Sequence, residues 1–118
     1  MAVRGIRGAT VANHDTSDQI LAATRELLEA LMHANALTAG DVISAIFTTT
    51  PDLRSEYPAR AARAIGWTDV ALLGATEMDL ATGLPRCIRV LLHVETDRPA
   101  ADIKHIYLHE AATLRPDR

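Results

Sequence analysis

The segment from Val3 to Val11 is rich in β-branched residues and punctuated by glycine, which predicts a strand. Gly5 and Gly8 inside it mark close backbone approach or a bulge. The hydrophobic period then changes. Ile20, Thr24, Leu27, Leu28 and Leu31 recur at i, i+4, i+7, i+8 and i+11, which is one face of a helix. Thr16-Ser17-Asp18-Gln19 ahead of them fits the capping-box pattern, Asp15 and Asp18 place negative charge near the positive end of the helix dipole, and Asn35 is a stop.

Val42 to Thr50 has few helix formers and many β-branched residues, so it reads as a second strand, ended by Thr50-Pro51-Asp52. Pro58 suits the first turn of a short helix from Ala59 to Ile65 that Gly66 closes. Val70 to Leu73 is a short strand, and Asp79 to Pro85 is a loop. Cys87 to Glu95 is the clearest strand, with Ile88, Val90, Leu92 and Val94 alternating onto one face. Arg98-Pro99 opens a helical turn, and Ile103 to Leu108 is the last strand. The order β-α-β-α-β-β-β predicts a mixed β-sheet backed by one long helix, an α+β or α/β domain. One helix covers one sheet face. The other face, represented by Val3, Ile46 and Leu91, is too apolar for water and predicts an oligomer.

Composition narrows the class. At 118 residues the chain is expected to be one domain over 1–118, able to bury about two-thirds of its unfolded surface without disulfide or metal. Net charge is 12 − 15 = −3, so no basic excess draws it to nucleic acid or an anionic membrane. No apolar run is long enough to span a bilayer, Met1 to Arg7 lacks a signal-peptide core, and Cys87 has no partner for an intrachain disulfide. A cytoplasmic protein is expected. Alanine occurs 21 times, and eleven of the twelve basic residues are arginine. A GC-rich genome accounts for both biases, so which arginines converge matters more than their number.

Two arginines stand in otherwise apolar strands. Arg89 lies opposite Ile88 and Val90, and Arg7 repeats the pattern in Arg4-Gly5-Ile6-Arg7-Gly8. Each is paired, meets an anion, or sits solvated on an edge strand; the two together favour anion binding. Glu77, just after an apolar strand, is a surface carboxylate or a partner for an arginine and a substrate hydroxyl. Tyr107 is one of four aromatic residues and is a core ring or a ligand contact. His105 and His109 would stand about 13 Å apart along a strand, which argues against a shared metal. Cys87 reads as an inert structural thiol, and no nucleophile elbow, P-loop or dinucleotide fingerprint is present. Binding of a small carboxylate by arginines is what remains.

The ordered series Val3-Arg4-Gly5-Ile6-Arg7-Gly8-Ala9-Thr10, Thr50-Pro51-Asp52-Leu53, Tyr57-Pro58-Ala59-Arg60-Ala61, Glu77-Met78-Asp79, Arg86-Cys87-Ile88-Arg89-Val90, His105-Ile106-Tyr107-Leu108 and Leu114-Arg115-Pro116-Asp117 resembles the AroH class of chorismate mutase. The resemblance implies a homotrimeric pseudo-α/β barrel with sites between subunits. It implies the rearrangement of chorismate to prephenate, toward phenylalanine and tyrosine, with no cofactor and no metal. By position it makes Arg89, Glu77 and Arg7 catalytic, with Arg7, Arg89 and Tyr107 on the substrate's oxygens. Leu73, Gly74, Ala75 and Thr76 would line the pocket. Tyr57, Ala59, Arg60 and Arg63 would form its wall and entrance, and Leu114 and Arg115 a short lid. Gly74 stands where Cys or Ser is usual, Tyr57 and Arg60 where Phe and Lys are common, and one residue is missing before Gly66-Trp67. A trimeric enamine or imine deaminase and a non-catalytic trimeric carboxylate sensor are the alternative readings.

Overall fold

The computed structural model describes residues 2–114. Five strands, β1 (Ala2–Val11), β2 (Val42–Thr49), β3 (Ala71–Thr76), β4 (Cys87–Thr96) and β5 (Ile106–Tyr107), and two helices, α1 (Ser17–Ala34) and α2 (Ala59–Ala64), follow in the predicted order. They build one mixed sheet in the order β3-β2-β4-β1-β5. β4 runs antiparallel to both β1 and β2, whereas β3 and β5 pair parallel at the two edges.

α1 is the long helix. The Thr16 hydroxyl accepts from the Gln19 N–H at 3.2 Å, one of the two bonds of a capping box. Its buried face is Ile20, Thr24, Leu27, Leu28 and Leu31, as the spacing requires. Leu27, Leu28 and Leu31 pack on Ile6, Phe47, Val90, Leu92 and Val94 from the sheet, on Ala62 of α2 and on Trp67 beyond it, while Ile20 packs with Ala12, Leu53 and Ile88. Gly8 permits a close approach: a Cβ there would lie 2.8 Å from Leu31 Cδ1 and 3.1 Å from Leu27 Cδ1. Gly5 has no such role, since its nearest contact would be an ordinary 3.8 Å and the β1–β4 register runs unbroken across it. Gly66, at φ +99°, ends α2 in the left-handed region that glycine tolerates.

Three elements differ from the sequence reading. β3 reaches Thr76 rather than Leu73, because parallel pairing with β2 continues to Thr49↔Thr76. The last strand shrinks to two residues. Asn35, buried at the end of α1, takes its place at the N-terminal side: its Oδ1 accepts from Lys104 N–H at 2.8 Å, and its Nδ2 donates to Lys104 O at 2.9 Å. With those backbone groups satisfied by a side chain, the segment needs no ladder there. Past Leu108 the chain turns into a 3-10 helix, His109–Leu114, so His105 and His109 do not share a strand.

The face of the sheet away from α1 carries Val3 and Leu73, 59% and 62% exposed. Among the described residues no helix is long and apolar enough to cross a membrane. On β3, a Cβ at Gly74 would meet nothing within 4 Å. Gly74→Ala is therefore expected to raise stability by about 0.4–1 kcal/mol through the unfolded chain's entropy. Urea denaturation at fixed protein concentration checks it, and a lowered midpoint would mean that the space is filled in solution.

Candidate active site

Strand pairing assembles the site from distant residues. Thr48, Arg89, Ala9 and Tyr107 are successive cross-strand partners on β2, β4, β1 and β5. Partners in such a row project from the same face. Two inter-strand steps set the Arg89 and Tyr107 backbones about 10 Å apart. Arg7 stands two residues before Ala9, hence on the same face. The resulting cleft, about 320 Å³, is lined by Arg7, Thr48, Glu77, Arg89 and Tyr107 and floored by Gly8, Ile46, Val90 and Leu91.

Glu77 enters from the loop after β3, where its N–H donates to Thr49 O at 2.8 Å. Its Oε2 accepts from the Thr48 hydroxyl at 2.9 Å and lies 3.5 Å from Arg89 Nε. Its Oε1 accepts from Met78 N–H at 3.2 Å. The Glu77 side chain is 27% exposed and that of Arg89 46%, so neither charge is deeply desolvated and both remain within reach of a ligand. The entry to β4 is clamped. Cys87 N–H donates to Thr50 Oγ1 and Arg86 N–H to Asp52 Oδ2, both at 2.9 Å. Burial pushes the Cys87 thiol above its ordinary range, which keeps it protonated and a poor nucleophile. On β1, the Arg7 N–H donates to His105 Nδ1 at 3.0 Å.

A second set of residues gathers on the other side of the β2–β3 edge. Tyr57, Gly74, Ala75 and Thr76 line a cavity of about 450 Å³ with Phe47 and Thr49. Tyr57, Ala59, Arg63 and Gly74 line an adjoining one of about 280 Å³. Phe47 and Thr49 alternate with Ile46 and Thr48 along β2, so the two regions open on opposite faces. Arg60 does not line either cavity; it is ion-paired with Glu56, whose carboxyl it holds below the usual range. The preceding turn is pinned by Asp15, whose carboxylate accepts from the N–H groups of Arg54 and Ser55 at 2.9 and 3.0 Å. The Arg54 bond is the largest cause of its lowered pKa. That pinning holds fully above the ordinary carboxylate range and is lost as pH falls through the lowered value.

This chain matches the family described as chorismate mutase type I over residues 3–118. It belongs to that family. It is 43% identical over 118 residues to the chorismate mutase AroH of Bacillus subtilis (strain 168), covering 99% of this chain and 93% of that protein. Over 116 residues it is 49% identical to the chorismate mutase AroH of Thermus thermophilus, covering 98% and 95%. A solved chorismate mutase from Clostridium thermocellum superposes with a TM-score of 0.92 at 46% identity, covering 93% of this chain and 98% of that one.

In this family member the sequence-predicted residues thus fall into two groups. Arg7, Glu77, Arg89 and Tyr107 converge on one face of the sheet, while Tyr57, Ala59, Arg63, Gly74 and Thr76 lie around the opposite face. Leu73 and Ala75 are the cross-strand partners of Ile46 and Thr48 and so belong to the arginine face, with Ala75 also bordering the cavity beside Gly74. Leu114 lines a pocket with Glu77, Cys87 and Arg89, and Arg115 lies outside the described residues. Thr48 and His105 escaped sequence reasoning as site residues, because their partners lie 29 and 98 positions away. Among the described residues no three of His, Cys, Asp and Glu converge as a metal site.

Proposed function

We propose that the arginine-lined cleft is where this chorismate mutase turns chorismate into prephenate. The observation that carries the assignment is the single face holding Arg7, Arg89 and Tyr107, with Glu77 3.5 Å from Arg89. Chorismate is a dicarboxylate with a ring hydroxyl. Its rearrangement breaks one C–O bond as one C–C bond forms, so no nucleophile, proton transfer or cofactor is required. Negative charge grows on the ether oxygen and positive charge on the ring. A fixed cation beside that oxygen stabilises the transition state more than the ground state.

Arg89 supplies that cation and reaches a carboxylate with the rest of its fork. Arg7 and Tyr107 hold carboxylate oxygens and keep the flexible side chain folded over the ring, the near-attack geometry. Glu77 accepts from the ring hydroxyl and balances the ring's positive charge. Thr48, by occupying Oε2 of Glu77, fixes the direction in which the carboxylate points. The mechanism is conformational restriction plus electrostatics, without a covalent intermediate.

The second group of residues completes the site from another copy. A substrate in the arginine cleft of one protomer cannot also touch Arg63 and Tyr57 of the same protomer across the sheet edge. A neighbour laid against the exposed Val3 and Leu73 face can present them, and a closed ring of three copies gives each cleft one such partner. We therefore assign a homotrimer with composite sites, in the cytoplasm, where the lone buried Cys87 stays reduced.

Loss of chorismate absorbance with chemical identification of prephenate tests the reaction; a folded wild type without turnover would overturn it. Arg89→Ala and Arg63→Ala then test the composite site. Each is expected to be weak alone. Co-refolded in equal amounts, they should regain activity in about a quarter of the sites, those pairing an intact arginine face with an intact Arg63. No recovery above either parent would place both groups within one subunit's site.

A further inference from the structure

We infer that His105 is a positioning residue that sets the spacing between Arg7 and Tyr107, a role that rests on the reading of the cleft given above. Arg7 sits on β1 and Tyr107 on β5, and the ladder joining these strands has only two pairs, Gly8↔Ile106 and Ala9↔Tyr107. Leu108 N–H donates to Ala9 O at 2.9 Å and closes the ladder on one side. On the other side the strand is cut short, because Asn35 holds both backbone groups of Lys104. The Arg7 N–H, pointing from the β1 edge toward this segment, meets no strand carbonyl. It meets the His105 ring instead, with Nδ1 accepting at 3.0 Å.

The ring therefore replaces the next rung of the ladder. It ties the backbone of one carboxylate-binding residue to a point two residues before the other. Asn35 ties this segment to the end of α1 rather than to β1, so at its N-terminal side the spacing across the β1–β5 edge rests on the His105 bond, and a displacement near 1 Å in a positioning group is enough to degrade a near-attack geometry. His105 touches no reacting atom in this scheme; it acts through Arg7. Because Arg7 and Tyr107 hold carboxylates in both ground and transition states, the loss should fall mainly on KM.

The test is a double-mutant cycle on chorismate turnover. His105→Ala is expected to raise KM about tenfold with kcat reduced less than about threefold. His105→Asn, whose Oδ1 replaces Nδ1 as acceptor, should recover KM to within about threefold of wild type. In an Arg7→Ala background, His105→Ala should add less than about twofold, since the residue it positions is gone. An unchanged KM in His105→Ala overturns the inference, as does an Asn variant no better than Ala. An equal loss with and without Arg7 also overturns it, and so does loss of the native circular dichroism in His105→Ala, which would make His105 a stability residue. A wild type without turnover would defeat the functional reading itself and this inference with it, whereas an active wild type with an unresponsive His105 defeats the inference alone.

Discussion

Arg89→Ala is expected to lower kcat by at least about 10²–10³, or about 2.7–4 kcal/mol, the usual loss when one preorganised charge donor is removed from a transition state. The fold should survive. The Arg89 side chain is 46% exposed and emerges from the face away from α1, so its removal opens no core cavity. Two effects add in the same direction. The developing negative charge on the ether oxygen loses its counter-ion. Glu77, left with the Thr48 hydroxyl and the Met78 N–H, becomes an unneutralised anion facing a dianionic substrate. KM should therefore rise as well.

Arg89→Lys separates charge from geometry. Lysine restores a cation but offers a point charge in place of a planar fork. If charge alone mattered, Lys would recover most of the rate. Nε lies 3.5 Å from Glu77, and on the proposed reading the rest of the guanidinium serves the substrate, so Lys is expected to stay poor. The measurement is kcat and KM for chorismate beside circular dichroism of each variant. Near-full kcat in folded Arg89→Ala would remove Arg89 from the chemistry.

The second large effect concerns stability. Leu31→Ala is expected to destabilise by about 2–5 kcal/mol, the transfer loss plus the cavity left at a fully buried contact. Leu31 is 0% exposed and packs over Gly8, where the helix lies close on the sheet. Gly8→Ala errs in the opposite sense. Its new Cβ would press on Leu31 Cδ1 at 2.8 Å, on Leu27 Cδ1 at 3.1 Å and on the Ile106 backbone oxygen at 3.3 Å. Overpacking of this kind costs about 1–3 kcal/mol.

The two changes should compensate. The methyl added at Gly8 projects into the volume vacated by Leu31, so the double variant should lose less than the sum of the singles. Compensation will be partial, because the contact with the Ile106 oxygen is to backbone and cannot be relieved by trimming a side chain. Denaturant midpoints at one fixed protein concentration decide the matter. Strict additivity would mean that Gly8 and Leu31 are not in contact in solution. Gly8→Ala should also raise KM, because Gly8 pairs with Ile106 in the short ladder beside Arg7 and Tyr107.

Where physics is local, the sequence was legible. The α1 face, its Thr16 cap and the alternation of β4 follow from residue types at fixed spacing, and all three stand as read. The fate of the last strand was not legible, since it depends on Asn35 bonding to Lys104 across 69 positions. Gly5 and Gly8 look alike in the chain; only the position of Leu31 above the sheet makes one of them a close approach.

The sequence by itself determined the order of the elements, the mixed sheet, two arginines in apolar strands and, through its ordered motifs, the chorismate mutase family. These depend on periodicity, backbone preference and residue identity, which a linear chain displays. Only the tertiary structure decided that Thr48, Arg89, Ala9 and Tyr107 stand in one row, that Thr48 orients Glu77, and that His105 takes the Arg7 N–H. It also decided that the Arg63 and Tyr57 group faces away from that row. The reason is strand register: a one-residue slip turns every side chain to the other face, and register is settled by long-range packing rather than by neighbours in the chain.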